Sequence, residues 1–282
     1  MRHVESAVTS PARVRRRRLL GAGLAFVMSP VPVLAQFEGQ TAPFITTPDE
    51  VVSRMLRLAQ VGVDDRVYDL GSGDGRIVLA AARDFGVMAT GIELDQVLVR
   101  KSTEAARAAG LADRASFRRG DVLREDISQA TVVTMYLLPW LLEKLQPRLL
   151  THLRPGTRVV SHAFVMPGWA PDETETVPLS RSHPGQGNSS RIFLWIVPAD
   201  LRGRWRAEDA GWQLDIAQNF QSLDISAVSG GNRLTVEGAR LRGTQIEFKA
   251  GRWTFRGALS GGGIAGKISD SGTELPVVFR RL

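Results

Sequence analysis

The sequence predicts an α/β fold with a doubly wound sheet, followed by a small antiparallel all-β domain. From about residue 36 to residue 198, short apolar runs alternate with helical patterns, as in parallel sheets covered on both faces. A glycine-rich turn follows the first of these runs, which is typical of a ligand-binding corner. After Pro198 the pattern changes to short strands of alternating polarity separated by glycines. We therefore predict two domains, residues 36–198 and 199–282, after a leader at residues 1–35.

The glycine-rich turn joins an apolar strand to a helix. Residues 67–70 have the composition of a buried strand, with Asp69 near its carboxyl end, and residues 76–83 have a helical pattern. Between them, three glycines stand at alternate positions, beginning with Gly71. Glycines let a ligand approach the backbone closely, and we expect free N–H groups of the turn and the helix dipole to face that ligand. The pattern predicts a nucleotide-binding corner.

The spacing of these glycines indicates which nucleotide binds. Sites for nicotinamide or flavin dinucleotides usually read G-x-G-x-x-G and hold a pyrophosphate. Here the pattern is D-x-G-x-G-x-G, with Asp69 two residues before Gly71. A carboxylate there repels a pyrophosphate but suits a cationic amino group, such as that of the methionine end of S-adenosylmethionine. The spacing therefore disfavours a nicotinamide oxidoreductase and favours S-adenosylmethionine.

Two further acidic residues end the next two predicted strands. Glu93 stands 18 residues after the last glycine of the turn, about where an acidic residue binds ribose hydroxyls in nucleotide folds. Asp121 follows the third strand, where we expect the adenine edge to lie. Acidic residues at three successive strand ends, together with Gly71, Ser72 and Gly73, predict the cofactor-binding site.

Two motifs of this region are shared with a known family. They are Asp69-Leu70-Gly71-Ser72-Gly73-Asp74-Gly75-Arg76-Ile77-Val78 and Gly91-Ile92-Glu93-Leu94. Over about residues 43–198 the chain resembles the class I S-adenosylmethionine-dependent methyltransferases, which have a Rossmann-like fold. Within that class it is similar to the mitochondrial lysine methyltransferases of the ATP synthase c-subunit and the adenine nucleotide translocase, and to their bacterial relatives. The resemblance implies methyl transfer from S-adenosylmethionine to an acceptor such as a protein lysine or another amine.

The resemblance also bears on the residues before the first helix. In related enzymes an aromatic-x-x-Thr sequence there folds over the cofactor, which implies that Phe44 and Thr47 contact it. Local helix chemistry offers another interpretation. Thr47 is then the N-cap, Pro48 the first helical residue and Glu50 the end of a capping box, with Phe44 in a hydrophobic staple. Both interpretations stand at this point.

The candidate catalytic residues are Tyr136 and His162. In this family the exit of the fourth strand, residues 135–139, faces the methyl group, and here it differs from the N-P-P-Y motif that binds planar amide or base nitrogens. Tyr136 is expected to line an amine channel or orient the nucleophile, with ordinary packing as the alternative. His162 lies in the fifth strand and is either a general base, for which its reference pKa of about 6.5 is suitable, or a structural residue.

The remaining elements follow in order along the chain. Alternating apolar runs and helical patterns predict helices at residues 48–59, 96–109 and 141–150, strands at 130–136 and 157–164, an antiparallel pair at 169–177 and 191–197, and a loop at 180–190. The strands after Pro198 predict a small barrel or sandwich for packing or partner recognition, with ligand binding as the lesser alternative.

The composition limits the kinds of site the chain can build. There is no cysteine among the 282 residues, which excludes disulfides and thiolate metal sites. The four histidines are scattered without ligand spacing, and we expect no metal. The formal net charge is +7, but residues 1–35 carry +5 of it, which leaves +2 for residues 36–282. Because the basic residues are concentrated in the leader, we expect no nucleic-acid partner.

Residues 1–35 have the pattern of an export signal. A basic run, Arg15 to Arg18, precedes an apolar run, Leu19 to Met28, and small residues before Gln36 predict cleavage after Ala35. The pattern fits a Sec or twin-arginine-like signal, or an anchor that keeps the protein near the inner membrane. If synthesis starts downstream, the protein is cytoplasmic. Because S-adenosylmethionine is made in the cytoplasm, an exported non-catalytic module that binds a ligand or a partner is the alternative function.

Overall fold

The computed structural model describes residues 45–282, which form four helices and sixteen strands in two sheets. The predicted leader, its cleavage site and Phe44 lie outside the described residues. The helices of this part of the chain are Asp49–Leu58 (α1), Arg76–Phe85 (α2), Gln96–Ala108 (α3) and Pro139–His152 (α4).

The first sheet has seven strands in the order β3-β2-β1-β4-β5-β7-β6. They are Arg66–Leu70 (β1), Met88–Glu93 (β2), Ala115–Arg119 (β3), Val132–Met135 (β4), Arg158–His162 (β5), Glu173–His183 (β6) and Gly187–Ile196 (β7). Strands β1 to β5 are parallel, and the β6–β7 hairpin adds two antiparallel strands beside β5. The chain order reverses between β1 and β4, and at such a switch point the carboxyl ends of open parallel sheets bind ligands.

Helices cover both faces of this sheet, as predicted for a doubly wound fold. Apolar residues of α1, α2 and α3 pack into one buried core, and those of α4 pack into a second core on the other face. Val51 and Met55 of α1 and Leu142 and Leu145 of α4 are buried completely or nearly so. The period-3.6 apolar stripes that predicted these helices are thus the surfaces that they bury.

The structure corrects two local predictions. The capping box is wrong: Pro48 occupies the N-cap position without a side-chain cap, while Thr47 and Glu50 bond elsewhere, to His162 and Ser180. The predicted loop at 180–190 is mostly strand, because β6 and β7 continue to a tight turn between His183 and Gly187. A register shift between Pro178 and His183 marks a bulge, which bends the end of this hairpin.

The second sheet contains nine antiparallel strands in the order β11-β10-β9-β8-β16-β15-β14-β13-β12. They are Gly203–Ala207 (β8), Trp212–Asn219 (β9), Ser222–Ser229 (β10), Asn232–Leu234 (β11), Val236–Arg242 (β12), Gln245–Ala250 (β13), Trp253–Ser260 (β14), Gly263–Asp270 (β15) and Thr273–Arg281 (β16). The sheet curls so that β10 and β12 approach each other. Its interior is a packed core that includes Trp205, Phe248, Phe255 and Phe279.

Two hairpin tips of the second sheet pack against the first part of the chain. At the β9–β10 tip, the Phe220 ring stacks on Trp169 with centroids 5.5 Å apart, and Gln221 accepts a hydrogen bond from the Trp169 indole. At the β12–β13 tip, a Cβ on Gly243 would lie 2.9 Å from the Cα of Gly156. The described residues belong to one compact unit, and the domain boundary near Pro198 stays a prediction. None of the helices within 45–282 has the length and apolarity needed to cross a membrane.

Candidate active site

The glycine-rich turn connects β1 to α2 at the switch point of the sheet. Gly71, Gly73 and Gly75 all have positive φ, at 77°, 54° and 82°, a region in which glycine is far less strained than other residues. Several N–H groups of this turn, which the sequence predicted to be free, are bonded within the described part of the chain. Those of Gly71 and Ser72 donate to the carbonyl of Ile92, and that of Gly75 donates to Ser72. A corner satisfied internally in this way is poorly suited to a pyrophosphate.

Asp69 lies at the carboxyl end of β1 and is 2% exposed. Its Oδ1 accepts a hydrogen bond from the Thr134 hydroxyl at 2.8 Å. Burial raises the pKa of the Asp69 carboxyl to about 7, and the negative charges of Glu93 and Asp74 add to this effect. A cationic amino group placed beside Asp69 would stabilise its ionised form and replace the solvation lost on burial.

Glu93 lies at the carboxyl end of β2, next to the glycine-rich turn. One carboxylate oxygen accepts the N–H of Gly73 at 2.8 Å, and the other accepts that of Asp95 at 2.9 Å. These two bonds fix the plane of the carboxylate and leave further lone pairs for the hydroxyl groups of a ribose. The predicted position of Glu93 beside the turn is therefore the observed one.

Gly91 in β2 packs closely against the residues that follow β1 and those of β3. A Cβ on Gly91 would lie 2.5 Å from the Ser72 hydroxyl and 2.6 Å from the Phe117 ring, so no larger residue fits there. The Ser72 hydroxyl is buried and has no hydrogen-bond partner among the described residues. Asp121 follows β3, is half-buried, and accepts the N–H of Leu123 through Oδ1 at 2.9 Å.

These residues fit S-adenosylmethionine better than a dinucleotide. Asp69 is a buried carboxyl that lacks a cationic partner among the described side chains, and Glu93 is an oriented carboxylate one strand away. Asp121 is placed at the end of the next strand. The three acidic residues thus lie at the strand ends where the sequence places them, and their roles toward the amino, ribose and adenine ends of the cofactor stay predictions.

The two candidate catalytic residues lie side by side at the ends of β4 and β5. The ring centroids of Tyr136 and His162 are 4.1 Å apart, and the Phe164 ring stacks on Tyr136 with centroids 6.1 Å apart. The backbone turns sharply at Ala163, which has a φ of 68°, and the N–H of Phe164 donates to the carbonyl of His162. This tight turn returns Phe164 to the Tyr136 ring.

His162 is completely buried and forms hydrogen bonds through both ring nitrogens. Its Nδ1 lies 3.1 Å from the Thr47 hydroxyl, and its Nε2 lies 3.2 Å from the Ser190 hydroxyl. Burial lowers the pKa of His162 to about 3, with a further contribution from His183. A neutral, doubly bonded imidazole is suited to holding Thr47 and its neighbours in place. The role of His162 as a general base stays a prediction.

Thr47 is held next to the glycine-rich turn by two contacts. Besides the bond to His162, its carbonyl accepts a hydrogen bond from Arg76 at 2.9 Å. Arg76 in turn pairs with Asp74 in the turn itself. The position of Thr47 is therefore compatible with a segment that folds over the cofactor, whereas its predicted capping role is excluded.

The β6–β7 hairpin brings a further residue, Gln186, to the site. Its Nε2 lies 3.2 Å from the Tyr136 hydroxyl, 3.1 Å from Nε2 of His162 and 3.3 Å from Nδ1 of His183. His183 also reaches the carbonyl of Thr46 at 3.0 Å. Gln186 was not predicted from the sequence, because a glutamine in a glycine-flanked turn resembles any exposed loop residue. The bulge that bends the hairpin over the site has no clear signal in a single sequence.

Comparisons with known proteins agree with this geometry. Residues 69–173 match the family described as the ANTKMT methyltransferase domain. A protein-lysine N-methyltransferase of Saccharolobus islandicus is 49% identical over 157 residues, which is 55% of this chain and 93% of that protein. The mouse lysine N-methyltransferase of the ATP synthase c-subunit is 35% identical over 47% of this chain. The matched region covers 53% of the mouse protein, about half of its length.

A solved structure is similar over the same share of the chain. An RNA methyltransferase from Salinibacter ruber, in complex with S-adenosyl-L-homocysteine, is 50% identical with a TM-score of 0.50. The match covers 56% of this chain and 96% of that one. The predicted fold class, enzyme class and cofactor are thereby confirmed. The chain belongs to the ANTKMT methyltransferase family and is an S-adenosylmethionine-dependent methyltransferase.

Proposed function

We propose that the methyl acceptor is the side-chain amine of a protein lysine. The observation that carries this proposal is the set of side chains around Tyr136, next to the predicted cofactor site. The Tyr136 ring, which carries one hydroxyl, lies beside the rings of Phe164 and His162. This arrangement suits a slender amine on an aliphatic chain, whereas a planar base or amide nitrogen needs paired donors and acceptors in its plane. The Saccharolobus relative named as a protein-lysine N-methyltransferase supports the same acceptor.

The chemistry requires that a lysine lose its proton before it attacks. At its reference pKa of about 10.4, deprotonation at pH 7 costs roughly 4–5 kcal/mol. The rings around Tyr136 would remove water from the amine and so lower its pKa, and the Tyr136 hydroxyl would accept one of its N–H groups. When bound, S-adenosylmethionine supplies a methyl group on a cationic sulfur. We propose that Asp69 and Glu93 hold it, with Gly71, Ser72, Gly73, Asp121 and Thr47 beside it.

An RNA acceptor is the second candidate, because the related Salinibacter protein is described as an RNA methyltransferase. The charge of the chain argues against it. RNA binding without sequence specificity depends on clustered basic residues, and residues 36–282 carry a net charge of only +2. Binding of a lysine side chain does not require a cluster of basic residues on the surface.

A methyl-transfer assay with two acceptors tests the proposal. Protein lacking residues 1–35 is incubated with isotopically labelled S-adenosylmethionine and either a lysine homopolymer or total RNA. We expect label in the polymer, and mass spectrometry of modified peptides should assign it to lysine. Label in RNA alone would overturn the lysine proposal. Label in neither, with the cofactor bound, would also count against lysine and point to an acceptor of another class.

We also propose that residues 1–35 direct the protein to or across the inner membrane. The basic run, the apolar run and the small residues before Gln36 support this proposal. An acceptor at or near the membrane would then be close to the enzyme. A leader that anchors the chain on its cytoplasmic side would leave it with access to S-adenosylmethionine.

A further inference from the structure

The Gln186 amide faces more acceptors than it has hydrogens. Its Nε2 is within 3.1–3.3 Å of the Tyr136 hydroxyl, Nε2 of His162 and Nδ1 of His183, and an amide nitrogen carries two hydrogens. The other partners of the two histidines show how these hydrogens are shared.

His183 takes one of the two hydrogens. Its Nε2 lies 3.0 Å from the carbonyl of Thr46, which only accepts, so the ring proton of a neutral His183 belongs on Nε2. Its Nδ1 is then an acceptor, and Gln186 is its donor. This arrangement also fixes the orientation of the Gln186 amide. If its Oε1 faced His183 in place of Nε2, it would find no proton to accept, because Nδ1 of His183 carries none.

His162 does not need the second hydrogen. The hydroxyls of Ser190 and Thr47 lie 3.2 Å and 3.1 Å from its two nitrogens, and each hydroxyl is able to donate or accept. The second amide hydrogen of Gln186 is therefore available to the Tyr136 hydroxyl. With one lone pair engaged there, the phenol presents its other lone pair to a neighbouring group.

The position of Gln186 is set by the backbone on both sides. Gly185 and Gly187 have positive φ, at 76° and 68°, and the N–H of Gln186 donates to the carbonyl of His183 across the turn. The adjoining bulge bends the hairpin, and the bonds of Gln186 place its tip beside Tyr136 and His162. The glutamine is thus presented by a closed turn to the half-buried Tyr136 side chain.

From this geometry we propose that Gln186 is a positioning residue that aims the Tyr136 hydroxyl at an amine acceptor. The inference rests on the proposed lysine acceptor for its substrate class. Its physical content is a coupling between two side chains, in which Gln186 acts on the acceptor through Tyr136. Among the described residues, the side-chain hydrogen bonds of Gln186 go to Tyr136 and the two histidines, and none goes to Asp69 or Glu93. A glutamine that only stabilised the hairpin would act independently of the Tyr136 hydroxyl.

A double-mutant cycle tests this coupling. Methylation of a lysine homopolymer is measured for Gln186→Leu, Tyr136→Phe and the double variant. Gln213→Leu is the matched control, because the Gln213 side chain in β9 is exposed. We expect Gln186→Leu to lower kcat/KM about tenfold with an unchanged Kd for S-adenosylmethionine. In the Tyr136→Phe background the same change should cost less than about twofold. Equal losses in both backgrounds would overturn the proposal.

A second measurement does not depend on the acceptor. Burial raises the pKa of the Tyr136 phenol, and the hydrogen bond from Gln186 opposes this rise. The chain contains two tyrosines, so fluorine NMR of protein labelled with a fluorinated tyrosine gives two signals, and Tyr68→Phe assigns them. Gln186→Leu should raise the pKa of Tyr136, whereas Gln213→Leu should not. An unchanged titration overturns the proposal, whatever the acceptor. If the titration shifts but lysine is not methylated, the amine acceptor is wrong and the Gln186–Tyr136 link remains.

Discussion

Thr134 donates its hydroxyl to Oδ1 of Asp69 across the switch point between β4 and β1, at a distance of 2.8 Å. Both side chains are buried, and among the described residues Thr134 is the side chain that hydrogen-bonds this carboxyl. One neutral donor offsets only a small part of the cost of burying a carboxylate. Asp69 is therefore poised to bind a cation, and this property gives the first two predictions.

Cofactor binding should depend on pH through Asp69. Its folded pKa of about 7 is raised above the unfolded value of about 3.9. The corresponding contribution to the stability of the free protein is present below pH 4 or so and is lost as the pH rises through about 7. A bound cationic amino group favours the ionised form, so affinity for S-adenosylmethionine should increase as the pH rises through about 7, with release of a proton.

Calorimetric titrations in buffers of different ionisation enthalpy measure both the affinity and the proton release. Asp69→Asn is the matched control, because it keeps the size of the side chain and cannot ionise. It should bind S-adenosylmethionine at least about tenfold more weakly at pH 8 and lose this component of the pH dependence. A variant that binds as tightly as the wild type would refute the assignment of Asp69.

The Thr134 hydroxyl should tune this pH dependence. Thr134→Val keeps the shape but removes the donor, so the pKa of Asp69 should rise further and the midpoint of cofactor binding should move to higher pH. Thr134→Ser retains the hydroxyl and should behave like the wild type. The same calorimetric series measures the midpoints. Equal midpoints for the valine and serine variants would show that the hydrogen bond has no influence on the carboxyl.

Glu93 should contribute to both cofactor binding and the stability of the turn. A charged hydrogen bond contributes about 1.5–3 kcal/mol, so Glu93→Ala should weaken cofactor binding at least about tenfold. Because its carboxylate also accepts the N–H groups of Gly73 and Asp95, the alanine variant should lower the Tm of the free protein as well. Glu93→Gln keeps one acceptor oxygen, so its cofactor affinity and its Tm should lie between those of the wild type and the alanine variant. Affinity by calorimetry and Tm by scanning calorimetry separate the two effects.

The cofactor half of the site was predictable because it is local in sequence. Asp69, the three glycines, Glu93 and Asp121 all follow from one rule, that ligands lie at the carboxyl ends of parallel strands. Each strand was visible as an apolar run, so the rule could be applied without knowing any long-range contact. The bonds of Gly71 and Ser72 were not predicted, because Ile92, whose carbonyl accepts both N–H groups, belongs to another strand.

The acceptor half was only partly predictable because it depends on contacts between distant residues. Tyr136 and His162 were identified from strand ends, but Gln186 is brought to them by a bulged hairpin. A local cap was one of the two interpretations of Thr47, and its hydroxyl instead bonds to His162, 115 residues away. A single sequence shows the local alternative for such a residue and hides the tertiary one that replaces it.

The stacked pair Trp169 and Phe220 should matter for stability and not for cofactor binding. Phe220→Ala removes the ring that packs on Trp169 at the β9–β10 tip, and we expect it to lower the free energy of unfolding by about 2–3 kcal/mol. The affinity for S-adenosylmethionine should not change, because the ring packs on Trp169 and not on the described site residues. Val278→Ala is the control, because the Val278 side chain in β16 is exposed. A large loss of affinity in Phe220→Ala would show that the second sheet supports the site.

A chain that ends at Ala199 should still bind the cofactor. The Saccharolobus relative aligns with 157 residues of this chain over 93% of its own length, which leaves no room in it for a domain like residues 199–282. The truncated protein exposes the Trp169 surface, so we expect lower solubility and a lower Tm but a similar Kd by calorimetry. If the soluble truncated protein does not bind, the predicted boundary near Pro198 is wrong.

The last prediction concerns the location of the protein, which decides what acceptors it meets. The apolar run from Leu19 to Met28 is long enough for the core of a signal peptide, and Val33-Leu34-Ala35 supplies the small residues that cleavage needs. The mature chain should then begin at Gln36, before the first described helix. Cell fractionation with N-terminal sequencing measures this directly, and Ala35→Arg, which should block cleavage, is the matched variant. Mature protein outside the inner membrane would support export and require a source of S-adenosylmethionine there. Uncleaved protein on the cytoplasmic side would refute export and leave the enzyme where that cofactor is made.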